Sequence, residues 1–147
     1  MKNYKTWLKA AAIFQLIVAV MHTATLFINQ PPNNETEKKL FELMSNYQFD
    51  FGAGFHRTMD ELTLALSSSL SLLCMFASLT IFFLIKKQVD TVILKGIINL
   101  NLIVFGIFFI ITIAFTFLVP IIQFSLVLLF LALSRITILN YRLEKPD

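Results

Sequence analysis

Cysteine, histidine, glycine and proline are all scarce in this chain of 147 residues. It contains one cysteine, two histidines, four glycines and four prolines. One cysteine excludes an intrachain disulfide, and two histidines far apart in the sequence do not complete a zinc or iron–sulfur ligand set. The few glycines form no glycine-rich phosphate loop and no serine elbow. We therefore expect no metal site and no cofactor.

Charged residues are also scarce, and the longest apolar block nearly lacks them. Only 14% of the residues are charged, 57% are hydrophobic and the mean hydropathy is +0.77, which is typical of membrane proteins. The block Val92–Leu133 has no charge after Lys95. A helical span needs about 20 apolar residues, so this block predicts two crossings that meet near Pro120. With the apolar blocks Trp7–Ile28 and Leu62–Ile85, four membrane crossings are predicted.

The predicted fold is all-α: a four-transmembrane-helix bundle with a short extracytoplasmic amphipathic helix between helices 1 and 2. We expect residues 1–147 to form a single integral membrane domain. The predicted elements are helix 1 at about 7–29, the surface helix at about 35–51, helix 2 at about 57–86, helix 3 at about 91–117 and helix 4 at about 120–141. The surface helix follows from a proline pair at 31–32, from Asn34 as N-cap, and from apolar residues at helical spacing up to Phe51.

Basic residues mark one side of the predicted membrane protein. They precede helix 1, join helices 2 and 3 and follow helix 4, whereas segment 30–61 carries six acids: Glu35, Glu37, Glu42, Asp50, Asp60 and Glu61. Because Lys and Arg are enriched in cytoplasmic loops, we expect a bacterial inner-membrane protein with both termini cytoplasmic. The net charge of +3 then reflects topology, so the expected partner is the lipid bilayer and not a nucleic acid.

Helix 2 carries a stripe of polar and small residues, called here the polar stripe. Its members recur at intervals of three or four residues: His56, Asp60, Thr63, Ser67, Ser71, Cys74 and Ser78. At 100° per residue they share a sector of about 80°, which we expect to point into the bundle. Two interpretations remain open. The stripe is a packing seam between helices, or it is one wall of a partly hydrated pocket that opens to the outer side.

Helix 1 adds a second polar face. Gln15, His22 and Asn29 recur every seven residues, with Thr25 beside them. His22 is expected about 10 Å inside the outer end of its helix, at the depth of the Ser67–Ser69 segment. A histidine at this depth is either a structural hydrogen-bonding group or a contact for a bound molecule.

A charged cluster is predicted at the outer end of helix 2. If the helix begins near His56, then His56–Asp60 and Arg57–Glu61 are both i,i+4 pairs. Such pairs either neutralise and cap the helix start, or place a carboxylate beside an imidazole where the two can move protons. The sequence shows no third group for nucleophilic catalysis and therefore does not define an enzyme.

A set of residues between 15 and 75 carries a family resemblance. They are His22-Thr23, Met44, Phe49-Asp50, Gly52, Arg57-Thr58 and Glu61. This pattern resembles an uncharacterised family of small bacterial four-helix integral membrane proteins, in which an acid follows the Arg by four residues, as Glu61 does here. Glycines are usual in that family's second span, where this chain has Ala65 and Ser67. The resemblance implies the membrane fold and a grouping of His22, Arg57 and Glu61, and it implies no activity.

The leading hypothesis is a protein that binds an apolar or lipid-like molecule in an outward-facing, polar-lined pocket. The candidate ligand-binding residues are His22, His56, Arg57, Asp60, Glu61 and Ser67. The alternative is an accessory or structural subunit of a membrane protein complex, in which the polar stripe is a helix interface. A third alternative is a proton-coupled enzyme or transporter.

Overall fold

The computed structural model describes residues 3–28 and 31–143 of the chain. Within these ranges it contains five helices and two short strands: α1 (Asn3–Thr25), α2 (Glu35–Asn46), β1 (Gln48–Asp50), β2 (His56–Thr58), α3 (Met59–Lys86), α4 (Thr91–Phe115) and α5 (Leu118–Leu143). The structure is 81% helical. Because α1, α3, α4 and α5 are each long and apolar enough to cross a membrane, the predicted helical membrane bundle is confirmed. Asn29, predicted to share a face with Gln15 and His22, lies outside the described residues.

The surface helix α2 begins as predicted but ends five residues early. Asn34 Oδ1 accepts a hydrogen bond from Glu37 N at 2.9 Å, which is the predicted N-cap. The helix ends at Asn46, so the predicted continuation to residue 51 is wrong. Residues 47–51 alternate between aromatic and polar side chains, a period that suits a strand. The strand β1 forms there and pairs antiparallel with β2.

The turn of this hairpin requires a backbone conformation that glycine adopts most easily. Gly52, Ala53 and Gly54 have φ angles of +78°, +51° and +81°. Because glycine has no Cβ, it enters this left-handed region without a steric penalty. Phe51 N donates to Phe55 O at 3.0 Å across the turn. The turn therefore fixes the register, in which Asp50 lies opposite His56.

The start of α3 corrects a second prediction. α3 begins at Met59, so His56 and Arg57 lie on β2 and outside the helix. An i,i+4 pair needs both residues on one helix. The predicted helical pairs His56–Asp60 and Arg57–Glu61 are therefore wrong.

The chain divides into two compact units. The four-helix unit comprises Met1–Val18 and Cys74–Asp147, and the hairpin unit comprises Ala19–Leu73. The four-helix unit holds most of the fully buried apolar side chains: Leu8, Ala11, Ala12, Cys74, Ile81, Leu94, Ile98, Phe105, Val127, Leu131 and Ile138. The hairpin unit holds the end of α1, then α2, the hairpin and the first half of α3.

In the four-helix unit, α1 is hydrogen-bonded to all three of its neighbours. Ser78 Oγ on α3 donates to Ala12 O at 2.7 Å, and Ser134 Oγ on α5 donates to Tyr4 O at 3.0 Å. The third bond runs to α4, where Gln15 Nε2 donates to Asn101 Oδ1 at 3.1 Å. Polar side chains in membrane spans commonly join helices in this way.

Candidate functional site

The hairpin unit contains all six sequence-predicted site residues: His22, His56, Arg57, Asp60, Glu61 and Ser67. They come from three elements, since His22 lies on α1, His56 and Arg57 on β2, and the other three on α3. The hydrogen bonds of each side chain decide whether it supports the local fold or remains available to another molecule.

Both carboxylates at the start of α3 are engaged in local structure. Asp60 Oδ2 accepts from Ser45 Oγ at 2.5 Å, which joins the end of α2 to the start of α3. Glu61 Oε2 accepts from Thr58 N at 2.9 Å, and Thr58 Oγ1 accepts from Glu61 N at 3.3 Å. This reciprocal pair is a capping box, which satisfies N–H groups that the first turn of a helix leaves free. The carboxylates therefore have a structural explanation.

His56 and Arg57 point to opposite faces of the hairpin, because successive side chains of a strand alternate. His56 lies opposite Asp50 in the strand register, and Arg57 lies opposite Phe49. Arg57 Nη1 donates to His56 O at 2.7 Å, and its guanidinium carbon lies 5.9 Å from the centre of the Phe55 ring. Within the described residues, Arg57 and Glu61 thus bond to different groups, and the grouping of His22, Arg57 and Glu61 implied by the family resemblance stays a prediction.

The polar stripe becomes more buried with depth along α3. Thr63 is exposed and Ser67 is half-buried, whereas Ser71 is only 8% exposed and Cys74 and Ser78 are fully buried. The inner half of the stripe therefore faces protein, as predicted, but the prediction is wrong for the outer half, since Asp60 and Thr63 are exposed and His56 lies on β2. Ser78 uses its hydroxyl for the bond to α1 described above, which is the packing role.

Two polar atoms of the hairpin unit are buried and lack a hydrogen-bond partner among the described residues. They are Nε2 of His22 and Oγ of Ser71. Ser69, two residues from Ser71 on the same helix, donates instead to Ala65 O at 2.9 Å. A hydroxyl in a helix commonly satisfies itself by this bond to the carbonyl four residues earlier. Ser71 does not form such a bond, which makes its hydroxyl available.

A count of residues along α1 and α3 gives an expected depth for His22 and for Ser71. The bond between Ser78 and Ala12 fixes the register of α1 against α3. From this bond, ten residues along each antiparallel helix, or about 15 Å, lead to His22 on α1 and to the Ser67–Ser69 segment on α3. Ser71 lies about 4.5 Å deeper than the centre of that segment. The depth match between His22 and the α3 serines stays a prediction that this count allows.

Sequence reasoning did not single out Ser71 or Arg135 as site residues. Ser71 belongs to the polar stripe, and the missing bond to its own helix is a matter of side-chain rotamer that a sequence does not reveal. Arg135 lies in the apolar part of α5 and donates from Nε to Asn99 Oδ1 at 2.7 Å. Its Nη1 is buried and has no partner among the described residues. The interruption of an apolar span by an arginine is the sequence feature that marks this position.

No protein-family model, curated protein or solved structure matches this chain. Within the residues that the structure describes, no three His, Cys, Asp or Glu side chains gather into a group that could hold a metal ion.

Proposed function

We propose that this protein binds an apolar or lipid-like small molecule in an outward-facing, polar-lined pocket of the hairpin unit. The observation that carries the proposal is the pair of buried, unpartnered atoms, His22 Nε2 and Ser71 Oγ. A buried polar atom without a partner costs about 1–3 kcal/mol, and native proteins usually satisfy it with protein, water or ligand. A bound molecule that hydrogen-bonds to these groups would remove this cost.

The chemistry of the two groups restricts the ligand class. A serine hydroxyl both donates and accepts, and a neutral imidazole has one donor nitrogen and one acceptor nitrogen. Neither group requires a charged partner. The span positions within four residues of either group carry no charge and consist of Leu, Met, Val, Ala, Cys, Ser and Thr, so the rest of the ligand is expected to be uncharged and largely apolar. We infer a neutral molecule that has a hydroxyl or carbonyl group on an apolar body.

The six residues predicted from the sequence have different roles in this proposal. His22 and Ser67, with Ser71 added, line the pocket, while Asp60 and Glu61 hold the start of α3 in place. His56 and Arg57 belong to the hairpin at the rim. The family resemblance to small bacterial four-helix membrane proteins remains part of the proposal and adds no activity to it.

A second candidate function is that of an accessory or structural subunit of a membrane complex. The observation that favours it is the exposure of the outer half of the polar stripe, where Thr63 is exposed and Ser67 is half-buried. Polar groups on a span rarely face lipid, and a partner helix would cover them.

Native mass spectrometry of the protein extracted from its own membranes in a mild detergent distinguishes the two functions. The pocket proposal expects a discrete, saturable small-molecule adduct on the protein, with a mass that identifies the compound class. A reproducible co-purifying protein without any adduct would contradict the pocket proposal and support the subunit.

The membrane and its orientation are also proposed, from the charge pattern. We propose a bacterial inner membrane with both ends of the chain in the cytoplasm and the hairpin unit's α2 and strands outside. The support is the excess of basic residues before α1 and between α3 and α4, against the six acids of segment 30–61.

A further inference from the structure

The hairpin has one aromatic face and one polar face. Alternation along β1 puts three rings on the same side, and the partner strand adds two residues there: Tyr47, Phe49, Phe51, Phe55 and Arg57. The ring centres of Tyr47 and Phe49 are 5.0 Å apart, and those of Phe49 and Phe51 are 6.3 Å apart, which confirms the shared side. The opposite face carries only polar side chains: Gln48, Asp50, His56 and Thr58.

The aromatic face is not covered by the rest of the described chain. Tyr47, Phe51 and Phe55 are 59%, 60% and 58% exposed, and Phe49 is 36% exposed. A contiguous set of exposed aromatic side chains marks a surface that binds another molecule or a membrane. The rings contact one another along the strand and leave their outer surfaces free.

The hairpin lies next to a candidate membrane span in the chain. β2 ends at Thr58 and α3, which is long and apolar enough to cross a membrane, begins at Met59, so no linker separates the hairpin from this helix. The apolar span α3 therefore begins directly where the hairpin ends, whereas α2 lies between the end of α1 and β1.

We propose that the aromatic face of the hairpin lies in the headgroup region of the adjoining leaflet, where Arg57 binds lipid phosphate. Aromatic rings are enriched at this depth of a membrane, where their edges meet both apolar and polar surroundings. The guanidinium of Arg57 stands over the Phe55 ring, and in the part of the chain that the structure describes only its Nη1 donates a hydrogen bond, to His56 O. Its remaining donors suit a phosphate, and the polar face with Asp50 and His56 turns to water. This proposal does not depend on the pocket.

Tryptophan fluorescence tests the depth of the two faces against each other. The chain contains one tryptophan, Trp7, so Trp7→Phe gives a silent background. Phe51→Trp then reports on the aromatic face and Gln48→Trp, three residues away on the polar face, is the matched control. Each protein is reconstituted into phosphatidylcholine vesicles that carry lipids brominated on the acyl chain near the headgroup.

We expect the Phe51→Trp protein to emit at shorter wavelength and to be quenched at least twofold more than the Gln48→Trp protein. Equal quenching and equal emission maxima would overturn the proposal. Blue-shifted emission of Phe51→Trp without quenching by the brominated lipids would also overturn it, because protein and not lipid would then cover the face.

The role of Arg57 is tested in vesicles that contain phosphatidylglycerol. Arg57→Gln is expected to reduce the quenching of the Phe51→Trp protein, whereas Lys38→Gln on α2 leaves it unchanged. Added inorganic phosphate should not compete, since the binding partner is lipid. Unchanged quenching in Arg57→Gln, or loss of the effect with inorganic phosphate, would overturn the assignment of Arg57 to a lipid headgroup.

Discussion

At the scale of single residues, serine and threonine hydroxyls show which polar groups of the spans are satisfied. Ser69, Ser125 and Thr137 each donate to the carbonyl four residues earlier, at 2.9, 2.7 and 2.6 Å. Ser78 and Ser134 instead bond to α1. Ser71 does neither within the described residues, and this exception singles it out from the other members of the polar stripe.

Replacement of Ser71 by alanine therefore has an unusual expected effect. In protein stripped of bound small molecules, Ser71→Ala removes a buried hydroxyl that has no partner, so we expect the free energy of unfolding to rise by about 1 kcal/mol. Thermal unfolding in detergent measures this change. The control is Ser69→Ala, which is expected to stay within about 0.5 kcal/mol of the parent protein because its hydroxyl is exposed. A clear loss of stability in Ser71→Ala would show that its hydroxyl has a protein partner.

The arginine of α5 provides a second test at this scale. Asn99 Oδ1 accepts the bond from Arg135 Nε at 2.7 Å, so Asn99→Ala leaves the guanidinium without its protein partner. We expect a loss of about 1–2 kcal/mol in the free energy of unfolding, since a hydrogen bond to a charged group is lost. Asn99→Asp retains the acceptor and is expected to preserve stability. If both variants unfold at the temperature of the parent protein, the Arg135–Asn99 bond contributes nothing.

At the scale of elements, the outer end of α3 is a capping device built into the sequence. Thr58 and Glu61 exchange two hydrogen bonds across the first turn. Glu61→Ala is expected to reduce stability by about 0.5–2 kcal/mol, the usual effect of losing a helix cap. Glu61→Gln keeps the bond to the Thr58 N–H and should behave like the parent protein. Thermal unfolding measures both variants. An equal loss of stability in both would contradict the capping explanation, because it would show that the negative charge of Glu61, and not its hydrogen bond to Thr58 N, stabilises the protein.

The elements also show where sequence reasoning succeeds and where it stops. Apolar runs longer than a bilayer crossing define α1, α3, α4 and α5, and Asn34 marks the start of α2. The sequence does not predict the hairpin, because Leu43, Tyr47 and Phe51 fit a helical spacing. Residues 47–51 also alternate strictly between aromatic and polar side chains, which is the spacing of a strand. The pairing with residues 56–58 across a glycine turn decides between the two periods. Since that pairing is a contact distant in sequence, a local pattern does not reveal it.

The candidate site was predictable to a similar extent. The α3 stripe follows from helical periodicity, and its inner half agrees with the burial of Ser71, Cys74 and Ser78, whereas the depth of His22 stays a prediction. The prediction of the charged pairs is wrong because it starts the helix near His56, three residues before Met59, and so puts His56 and Arg57 on the helix. Which buried hydroxyl stays unpaired depends on rotamers and neighbours, and so only the structure identifies Ser71.

At the scale of the whole molecule, four membrane-spanning helices and the charge pattern lead to an expected topology. We expect Thr36 on α2 to face the outside and Lys87, in the connection between α3 and α4, to face the cytoplasm. In a Cys74→Ala background, an impermeant maleimide should label Thr36→Cys in intact cells and Lys87→Cys only after permeabilisation. The reverse pattern of labelling would contradict the proposed orientation.

We propose above all that a small molecule forms hydrogen bonds with His22 and Ser71 in the hairpin unit. The fraction of protein that carries the small-molecule adduct, compared between paired variants, tests this proposal most directly. Native mass spectra of Ser71→Ala, His22→Phe and the control Ser69→Ala, prepared in parallel with the parent protein, give the occupied fraction of each. We expect Ser71→Ala and His22→Phe to lower the affinity for the small molecule at least tenfold, or by about 1.4 kcal/mol of binding free energy. Ser69→Ala is expected to keep the adduct at the occupancy of the parent protein. Equal occupancy in all four proteins, or no adduct in any of them, would contradict the claim.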